Sequence, residues 1–245
     1  SRFFMLETIH EYAAERLVQS GEEEQIENRH LEYFLSLAEE MEPGYRQHGQ
    51  LELIERTEAE LGNIRAAFNY AMQRDQIATA AKLIASIDYY LRYRDRLVEG
   101  QRWFQRVLGV MDKIPEAYQA RFLLAAGRLA WVNGALEQSH HLLLRGLELA
   151  QALNDRRIEA WTLVELSAAS FAIDGHSLNE KRAKSGLSIF QDLDDRVGIA
   201  TAFNNLGEIT RLAGDYDQAR ELYESCLATC RETGEIIRQI MQSHN

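Results

Sequence analysis

Two pairs of polar residues stand at a spacing that places each pair on one face of a helix. Arg121 and Arg128 are seven residues apart, and Asn204 and Arg211 have the same separation. Seven residues make about two turns of an α-helix, so the members of each pair project from the same side. Guanidinium groups bind carboxylates through paired N–H donors, and amide side chains can pair with peptide backbone. These residue types and their spacing favour binding of an extended ligand that carries a carboxylate.

The sequence gives little support for a catalytic site or a metal site. The patterns G-x-x-x-x-G-K-[ST], G-x-S-x-G, H-E-x-x-H and C-x-x-C are all absent, which removes the common phosphate loop, serine nucleophile and zinc motifs. His140 and His141 are adjacent, so on a helix their side chains point about 100° apart and are poorly placed to ligate one metal. A general acid–base pair of Glu165 and Glu208 remains an alternative to lining a groove. We expect no catalytic residue, no metal site and no cofactor.

Helical hairpins are the elements that must position these side chains. In NNLGEITRLAGDYDQARELYESCL, residues 204–227, apolar residues recur at three- and four-residue steps on both sides of AGDY, as in amphipathic helices. Gly214 suits a positive φ at the end of the first helix, and Asp215 suits the N-cap of the second. The segment therefore predicts two short antiparallel helices.

The hairpin recurs along the chain with a period of about 40 residues. LAAGRLAWVNGALEQSHHLLLRGL, residues 124–147, matches it at an offset of 80 residues, and 163–187 provides the copy in between. A weaker copy fits 83–108. One hairpin cannot bury its own apolar stripe, so hairpins in series stack on one another. The sequence predicts an all-α, right-handed superhelical solenoid of antiparallel helix pairs, with about eleven helices.

The spacing within each unit resembles the tetratricopeptide repeat. The positions that carry the resemblance are Phe203, Leu206, Gly207, Gly214, Asp215, Tyr216, Ala219, Tyr223, Cys226 and Leu227. In such a unit Gly207 is expected where the two helices approach most closely. The chain departs from the family pattern at Phe203, where tryptophan is usual, and at Thr210, where tyrosine is usual. It also lacks the closing proline and has about six more residues per unit than the family's 34.

The resemblance implies a concave groove lined by the first helix of each pair. Carried over onto this chain, the ligand-binding positions are Arg121, Arg128, Trp131, Trp161, Glu165, Phe171, Asn204, Asn205, Glu208 and Arg211. This mixture of guanidiniums, amides and aromatic rings suits a peptide, a protein surface or a small inducer. Packing of the aromatic residues between repeats is the alternative, and it stays open at this point.

The first third of the chain does not follow the 40-residue register. RFFMLETIHEYAAERL resembles the last helix of the winged-helix domain in bacterial signal-transduction ATPases of the STAND class. HLEYFLSLAEE, EAELGNIRAAFNYAM and EGQRWFQRVL resemble the segments that follow it in LuxR-type and AfsR-like, NB-ARC-containing transcriptional regulators. The apolar stripe expected on the first helix consists of Phe4, Leu6, Ile9, Tyr12, Ala13 and Leu17.

This resemblance implies a division of the chain into three parts. Residues 1–20 would end a winged-helix domain, 21–75 would be connecting helices that cap the solenoid, and 76–245 would be repeats, the last one truncated. The partners would include the nucleotide-binding and DNA-binding domains of the same full-length chain.

Composition limits the partners and the location. The formal net charge is −11 and the isoelectric point is near 5.2, which argues against direct binding of nucleic-acid phosphates by this segment. No apolar run approaches the roughly 18 to 20 residues of a membrane span. The N-terminal residues carry charges throughout and show no signal-peptide cleavage site. Cys226 and Cys230 lie one helical turn apart, which suits reduced thiols. We therefore expect a cytoplasmic, non-membrane protein.

Three functions are compatible with these features. The favoured interpretation is a sensor and scaffold module that binds a ligand in the groove and acts on a transcription-regulating ATPase. An enzyme or enzyme subunit that uses the groove as an active site, and a structural spacer, are the alternatives. On the favoured interpretation, Arg128→Ala or Asn204→Ala should weaken ligand binding and leave the melting temperature nearly unchanged.

Overall fold

The computed structural model describes residues 7–94 and 96–234, and within these ranges it consists of helices joined by short turns, without a β-strand. The α-helices are α1 (Glu7–Ser20), α2 (Glu23–Met41), α3 (Gln50–Gln73), α4 (Ile77–Ser86), α5 (Asp88–Tyr93), α6 (Leu97–Leu108), α7 (Glu116–Val132), α8 (Leu136–Ala152), α9 (Arg156–Ala169), α10 (Phe171–Asp174), α11 (His176–Asp192), α12 (Arg196–Leu212) and α13 (Tyr216–Thr233). Single 3-10 turns occupy Glu42–Arg46 and Met111–Lys113. The prediction of an all-α solenoid is confirmed.

The described ranges contain thirteen helices where about eleven were expected, because the first helix of two pairs is broken. One break lies at Ile87, between α4 and α5, and the other at Ser170, between α9 and α10. At the second break the carbonyl of Ser170 accepts a hydrogen bond from Asn179 Nδ2 at 3.2 Å. The same carbonyl also accepts from the backbone N–H groups of Ile173 and Asp174, so the Asn179 side chain adds a further bond that ties α11 to the break.

The helix boundaries repeat with the predicted period. First helices begin at Glu116, Arg156 and Arg196, and second helices at Leu136, His176 and Tyr216, each 40 residues after the last. The weaker copy also joins the register, since its two helices begin at Ile77 and Leu97, each 39 residues before the next equivalent start. The solenoid therefore contains four helix pairs within the described residues: α4–α5 with α6, α7 with α8, α9–α10 with α11, and α12 with α13.

Glycine and aspartate form the turns as the sequence indicates. Gly134 and Gly214 adopt φ of 76° and 90° between the two helices of their pairs, a region that side-chain-bearing residues rarely enter. Asp155, Asp195 and Asp215 each precede a helix, and each accepts a hydrogen bond from the backbone N–H three residues on, at 3.0–3.1 Å. These N-caps satisfy N–H groups that the first helical turn leaves free.

Glycine also marks the closest approach of paired helices. A Cβ atom added to Gly207 would lie 2.6 Å from Cε1 of Tyr223, and one added to Gly127 would lie 2.6 Å from Cγ of Leu143. Both distances are far shorter than normal carbon–carbon contact. Gly207 therefore stands at the contact predicted for it, and Gly127 repeats the arrangement two pairs earlier.

The first helices form the inside of the curve. Each contacts the next along the solenoid, α4 with α7, α7 with α9 and α9 with α12, whereas no contact of similar extent joins successive second helices in the described ranges. Elements on the inner side of a curved array are the ones brought together. The inner face of α7, α9 and α12 is therefore the wall of the predicted groove.

The helices before the first pair, α2 and α3, pack against it, and we refer to them as the cap. α2 and α3 pack on each other and on α4, and Ile64 and Phe68 of α3 are fully buried. α1 differs, because Ile9 and Tyr12 are 51% and 57% exposed on the face expected to be apolar and covered. The limits placed at residues 20 and 75 stay predictions. Phe4 and Leu6, and the truncated repeat placed at the C-terminus, lie outside the described residues.

The apolar residues of the solenoid form successive clusters that run from the cap to α13. This is the pattern expected when each pair buries its stripe against its neighbours. Among the described helices, none is both long enough and apolar enough to cross a bilayer.

Candidate ligand-binding groove

Arg128 lies at the centre of a buried ion cluster on the inner face. Its Nε donates to Oε1 of Glu165 at 2.8 Å, and its Nη1 lies 3.7 Å from Oδ2 of Asp88. Asp88 also pairs with Arg92 at 3.2 Å, and none of the four side chains is more than 12% exposed. Arg128 of α7 thus connects the pair before it, through α5, with the pair after it, through α9.

Both carboxyl groups of this cluster are ionised at neutral pH. Burial acts to raise the pKa of Asp88 and of Glu165, but the nearby guanidiniums of Arg92, Arg128 and Arg46 outweigh it and hold both pKa values below the ordinary range. A buried carboxylate is tolerated only when such partners compensate for lost hydration. The charged state of the cluster therefore depends on its arginines.

Trp161 packs within the wall of the groove against two cations. The guanidinium carbons of Arg46 and Arg128 lie 4.5 and 4.8 Å from the centre of its ring. Phe190 meets the ring edge-on at 5.0 Å, and only 7% of Trp161 is exposed. Each cation–π contact contributes roughly 0.5–2 kcal/mol, more when water is excluded.

The connection between α2 and α3 also reaches the inner face. We call residues 42–49 the cap turn. Glu42 pairs with Arg121, whose Nη2 also donates to Oγ of Ser86 at 3.1 Å. Loss of hydration raises the pKa of Glu42 even though Arg121 acts to lower it. The predicted groove residue Arg121 is therefore already paired with a carboxylate of the same chain.

The C-terminal half of the predicted set is more accessible. Glu208 accepts hydrogen bonds from Nη2 of Arg211 at 2.8 Å and from the hydroxyl of Tyr223 at 2.6 Å. Burial and the Glu208 carboxylate raise the pKa of Tyr223 to about 12, so this hydroxyl stays a donor. Asn204 is half-buried and donates to Oδ1 of Asn205, which is itself buried and donates to the carbonyl of Val164 at 2.8 Å.

The predicted aromatic residues divide in the same way. Trp131 is 39% exposed at the end of α7. Phe171 is half-buried and packs against the cluster that contains Leu206. Trp131 and Arg211 are therefore exposed, and Arg121, Asn204 and Glu208 are half-buried. The structure holds Arg128, Trp161, Glu165 and Asn205 within the groove wall.

Glu165 and Glu208, the alternative acid–base pair, are engaged separately. Glu165 is paired with Arg128, while Glu208 is paired with Arg211 and Tyr223. Each carboxylate thus has its own cation, an arrangement typical of structural ion pairs.

A histidine, a serine and an aspartate meet where α8, α10 and α11 join, but not as a catalytic triad. Nδ1 of His140 lies 2.6 Å from Oγ of Ser170 and 3.4 Å from Oδ2 of Asp174, so both groups approach the same nitrogen. A triad needs them on opposite nitrogens and an accessible hydroxyl, whereas Ser170 is fully buried. Arg182 also pairs with Asp174. The cluster therefore holds α8, α10 and α11 together.

The described residues contain no group of three or more histidine, cysteine, aspartate or glutamate side chains placed to hold a metal. The Sγ atoms of Cys226 and Cys230 are buried and 3.9 Å apart, well beyond the roughly 2.05 Å of a disulfide bond. Both thiols are free, as expected from their spacing.

The sequence did not predict that four further residues lie on the inner face: Glu42, Arg46, Asp88 and Arg92. Asp88 carried a usable signal, because it lies in the otherwise apolar run LIASIDYYL, and a carboxylate in such a run needs a buried partner. Glu42 and Arg46 carried none, since they lie in a turn outside the repeat register.

Comparisons with known proteins agree with this architecture. A sequence profile described as "Tetratricopeptide repeat" matches residues 180–233, which correspond to most of α11 with α12 and α13. The crystal structure of BtubC (BKLC) from P. vanneervenii superposes with a TM-score of 0.56, covering 91% of each chain at 17% identity. At that identity the likeness shows the fold alone.

Curated proteins of Mycobacterium bovis and Mycobacterium tuberculosis, provisionally named HTH-type transcriptional regulators, are 35% identical to this chain over 109 residues. The match covers 44% of this chain and spans only 12% of the length of each relative. The chain is thus an all-α solenoid in which residues 180–233 are similar to the tetratricopeptide repeat, and it is distantly similar to one part of these regulators.

Proposed function

We propose that this chain is the sensor and scaffold arm of a larger cytoplasmic protein that regulates transcription. The names of the mycobacterial relatives support this, as does a fold built to present an extended inner surface. The match spans a small part of each relative, which leaves room for further domains there. We further propose that those domains are the nucleotide-binding and DNA-binding domains of a STAND-class ATPase, as residues 1–20 suggest by their resemblance to a winged helix.

One observation carries the binding role: accessible recognition groups converge on the inner face of α12. Asn204 and Arg211 project from that face with Glu208, and Trp131 stands two pairs away along the groove. Arg211 can take a carboxylate by exchanging it for Glu208, and Asn204 can pair with peptide backbone. The ligand we propose is a protein segment, a peptide or a small inducer that carries a carboxylate.

Asn204→Ala and Arg211→Ala, each alone, are expected to weaken the ligand by about 2–5 kcal/mol, because each removes a hydrogen-bonding group from a site that the ligand desolvates. The melting temperature should stay nearly constant, since neither side chain supports the core. The test is calorimetric titration of a partner isolated on the immobilised chain. Arg220→Ala, an exposed arginine on α13, is the matched control. Native affinity in both groove variants would contradict the site.

The chain alone is expected neither to bind duplex DNA with submicromolar affinity at physiological salt nor to hydrolyse ATP. The net charge of −11 repels phosphates, and no phosphate-loop motif is present. Fluorescence anisotropy with a labelled duplex and a phosphate-release assay check the two expectations. Tight DNA binding that weakens steeply with added salt would contradict this expectation and show that the chain has a phosphate-binding surface.

A further inference from the structure

The cap turn breaks the rule that elements of a solenoid contact only their neighbours. Glu42 pairs with Arg121 of α7, although 79 residues separate them. Arg46 stacks on Trp161 of α9, one pair farther on. His48 lies directly against Gly234, which follows α13, the last described helix. A single connection of the cap thus reaches three successive pairs of the solenoid.

The base of the cap turn is firmly held, so its reaching side chains can be removed without unfolding it. Tyr45 is fully buried, and its hydroxyl lies 2.5 Å from Oγ1 of Thr57. Nε2 of Gln50 donates to the carbonyl of Tyr45 at 2.5 Å and to the hydroxyl of Tyr89 at 2.7 Å. By contrast, the side chain of Glu42 is 38% exposed, and His48 is exposed as well.

We propose that Glu42, Arg46 and His48 form a latch that holds the cap turn against α7, α9 and the end of α13. A groove ligand that carries a carboxylate beside a cation opens the latch. Its carboxylate replaces Glu42 on Arg121, and its cation replaces Arg46 on Trp161. The ligand step rests on the proposed function, whereas the latch itself does not.

The contacts of the latch are weak enough for a ligand to release them. The Glu42–Arg121 pair is partly exposed on both sides, and such pairs add little stability because water competes for both ions. Loss of hydration also raises the pKa of Glu42, whereas the pKa values of the fully buried carboxyl groups Asp88 and Glu165 are lowered. A ligand therefore needs only modest differential affinity to shift the balance towards the open form. Release of the latch would move the cap relative to α12 and α13. This movement would be the signal that a ligand occupies the groove.

A pair of spin labels can measure whether the latch is closed. Gln47 on the cap turn and Arg231 near the end of α13 are both exposed, so cysteines at these two positions accept labels without disturbing the core. Cys226→Ala and Cys230→Ala remove the native thiols. Because His48 touches Gly234, the labels lie close together in the closed form and broaden each other's spectrum.

In the labelled protein, Glu42→Ala with Arg46→Ala is expected to abolish the dipolar broadening while the helical circular dichroism stays unchanged. The matched control is Lys113→Ala with Arg156→Ala, which removes two exposed cations from surface ion pairs away from both labels and should leave the broadening intact. Full broadening in the latch variant, or equal loss in the control, overturns the latch.

The ligand step is tested with a peptide that has the charges of the cap turn. Acetylated and amidated EPGYR carries a carboxylate and a guanidinium at the spacing of Glu42 and Arg46, and RPGYE exchanges them. At millimolar concentration EPGYR should reduce the broadening of the latched protein and RPGYE should not. Equal effects, or none, overturn the ligand step. A partner that loses affinity on Asn204→Ala yet leaves the broadening intact would contradict the latch as a sensor while the proposed binding site stands.

Discussion

Arg128→Ala is expected to lower the free energy of unfolding by about 3–5 kcal/mol, the usual cost of removing one partner from a buried ion pair. The substitution leaves Glu165 buried without its 2.8 Å hydrogen bond and deprives Asp88 of one of the two arginines that pair with it directly. It also removes one of the guanidiniums that pack on Trp161. Chemical denaturation measures the loss. The burial of Arg128 thus reverses the sequence-based expectation that its replacement would leave the melting temperature unchanged.

Two comparisons isolate the buried charge as the cause. Arg156→Ala removes an arginine from a pair whose side chains are 53% and 58% exposed, and such pairs are worth about 0–1 kcal/mol. Arg128→Met with Glu165→Gln removes both charges and keeps most of the volume, so it should recover part of the lost stability. If Arg128→Ala is no more costly than Arg156→Ala, the cluster does not hold the repeats together.

The pH dependence of the same variant follows from the carboxyl pKa values. In the wild type Asp88 and Glu165 have lowered pKa values, so their contribution is present above the unfolded-state pKa of about 4 and is lost as the pH falls through the folded-state values. In Arg128→Ala, Glu165 lacks its main compensating cation, so its buried charge destabilises the fold. Protonation of Glu165 in acid removes this cost. The stability gap between wild type and variant should therefore narrow from pH 7 towards pH 3.

The repeat architecture could be predicted from the sequence because its determinants are local. Gly214 and Asp215 specify a turn and an N-cap through their own backbone and side-chain chemistry, and the structure shows both. The breaks at Ile87 and Ser170 escaped prediction, because the apolar period continues across them. At Ser170 the break is accompanied by a side-chain bond from Asn179, a contact that helical periodicity does not encode.

The sequence predicted which helix face lines the groove, but not which residues pair on that face. Helical spacing placed Arg121 and Arg128 on the same side of α7, but it could not show which carboxylates meet them there. Glu42 comes from the cap, outside the repeat register, and Asp88 from a broken helix. Contacts between residues so far apart in sequence depend on how successive pairs stack. Of the three arginines in the predicted set, only Arg211 of α12 is exposed, since Glu42 and Arg46 of the cap turn lie on α7 and α9.

Gly207→Trp is expected to unfold the last pair locally, because the new side chain has no space between α12 and α13. Even a Cβ at this position would lie 2.6 Å from the ring of Tyr223, which is itself held by its hydrogen bond to Glu208. Overpacking of this kind typically costs roughly 1–3 kcal/mol, and an indole far exceeds the added methylene groups on which that range rests. Hydrogen exchange followed by mass spectrometry should show lost protection in α12 and α13.

The spatial pattern of that loss separates local unfolding from general destabilisation. Pairs in a solenoid depend mainly on their neighbours, so α7 and α8 should keep most of their protection while α12 and α13 lose theirs. Gly62→Trp on α3 is the matched control, since no atom lies within 4 Å of its added Cβ and its backbone is helical. There the tryptophan should be tolerated, because glycine is the poorer helix former. If both variants melt alike, α12 and α13 do not meet at Gly207, and the pairing of these two helices is wrong.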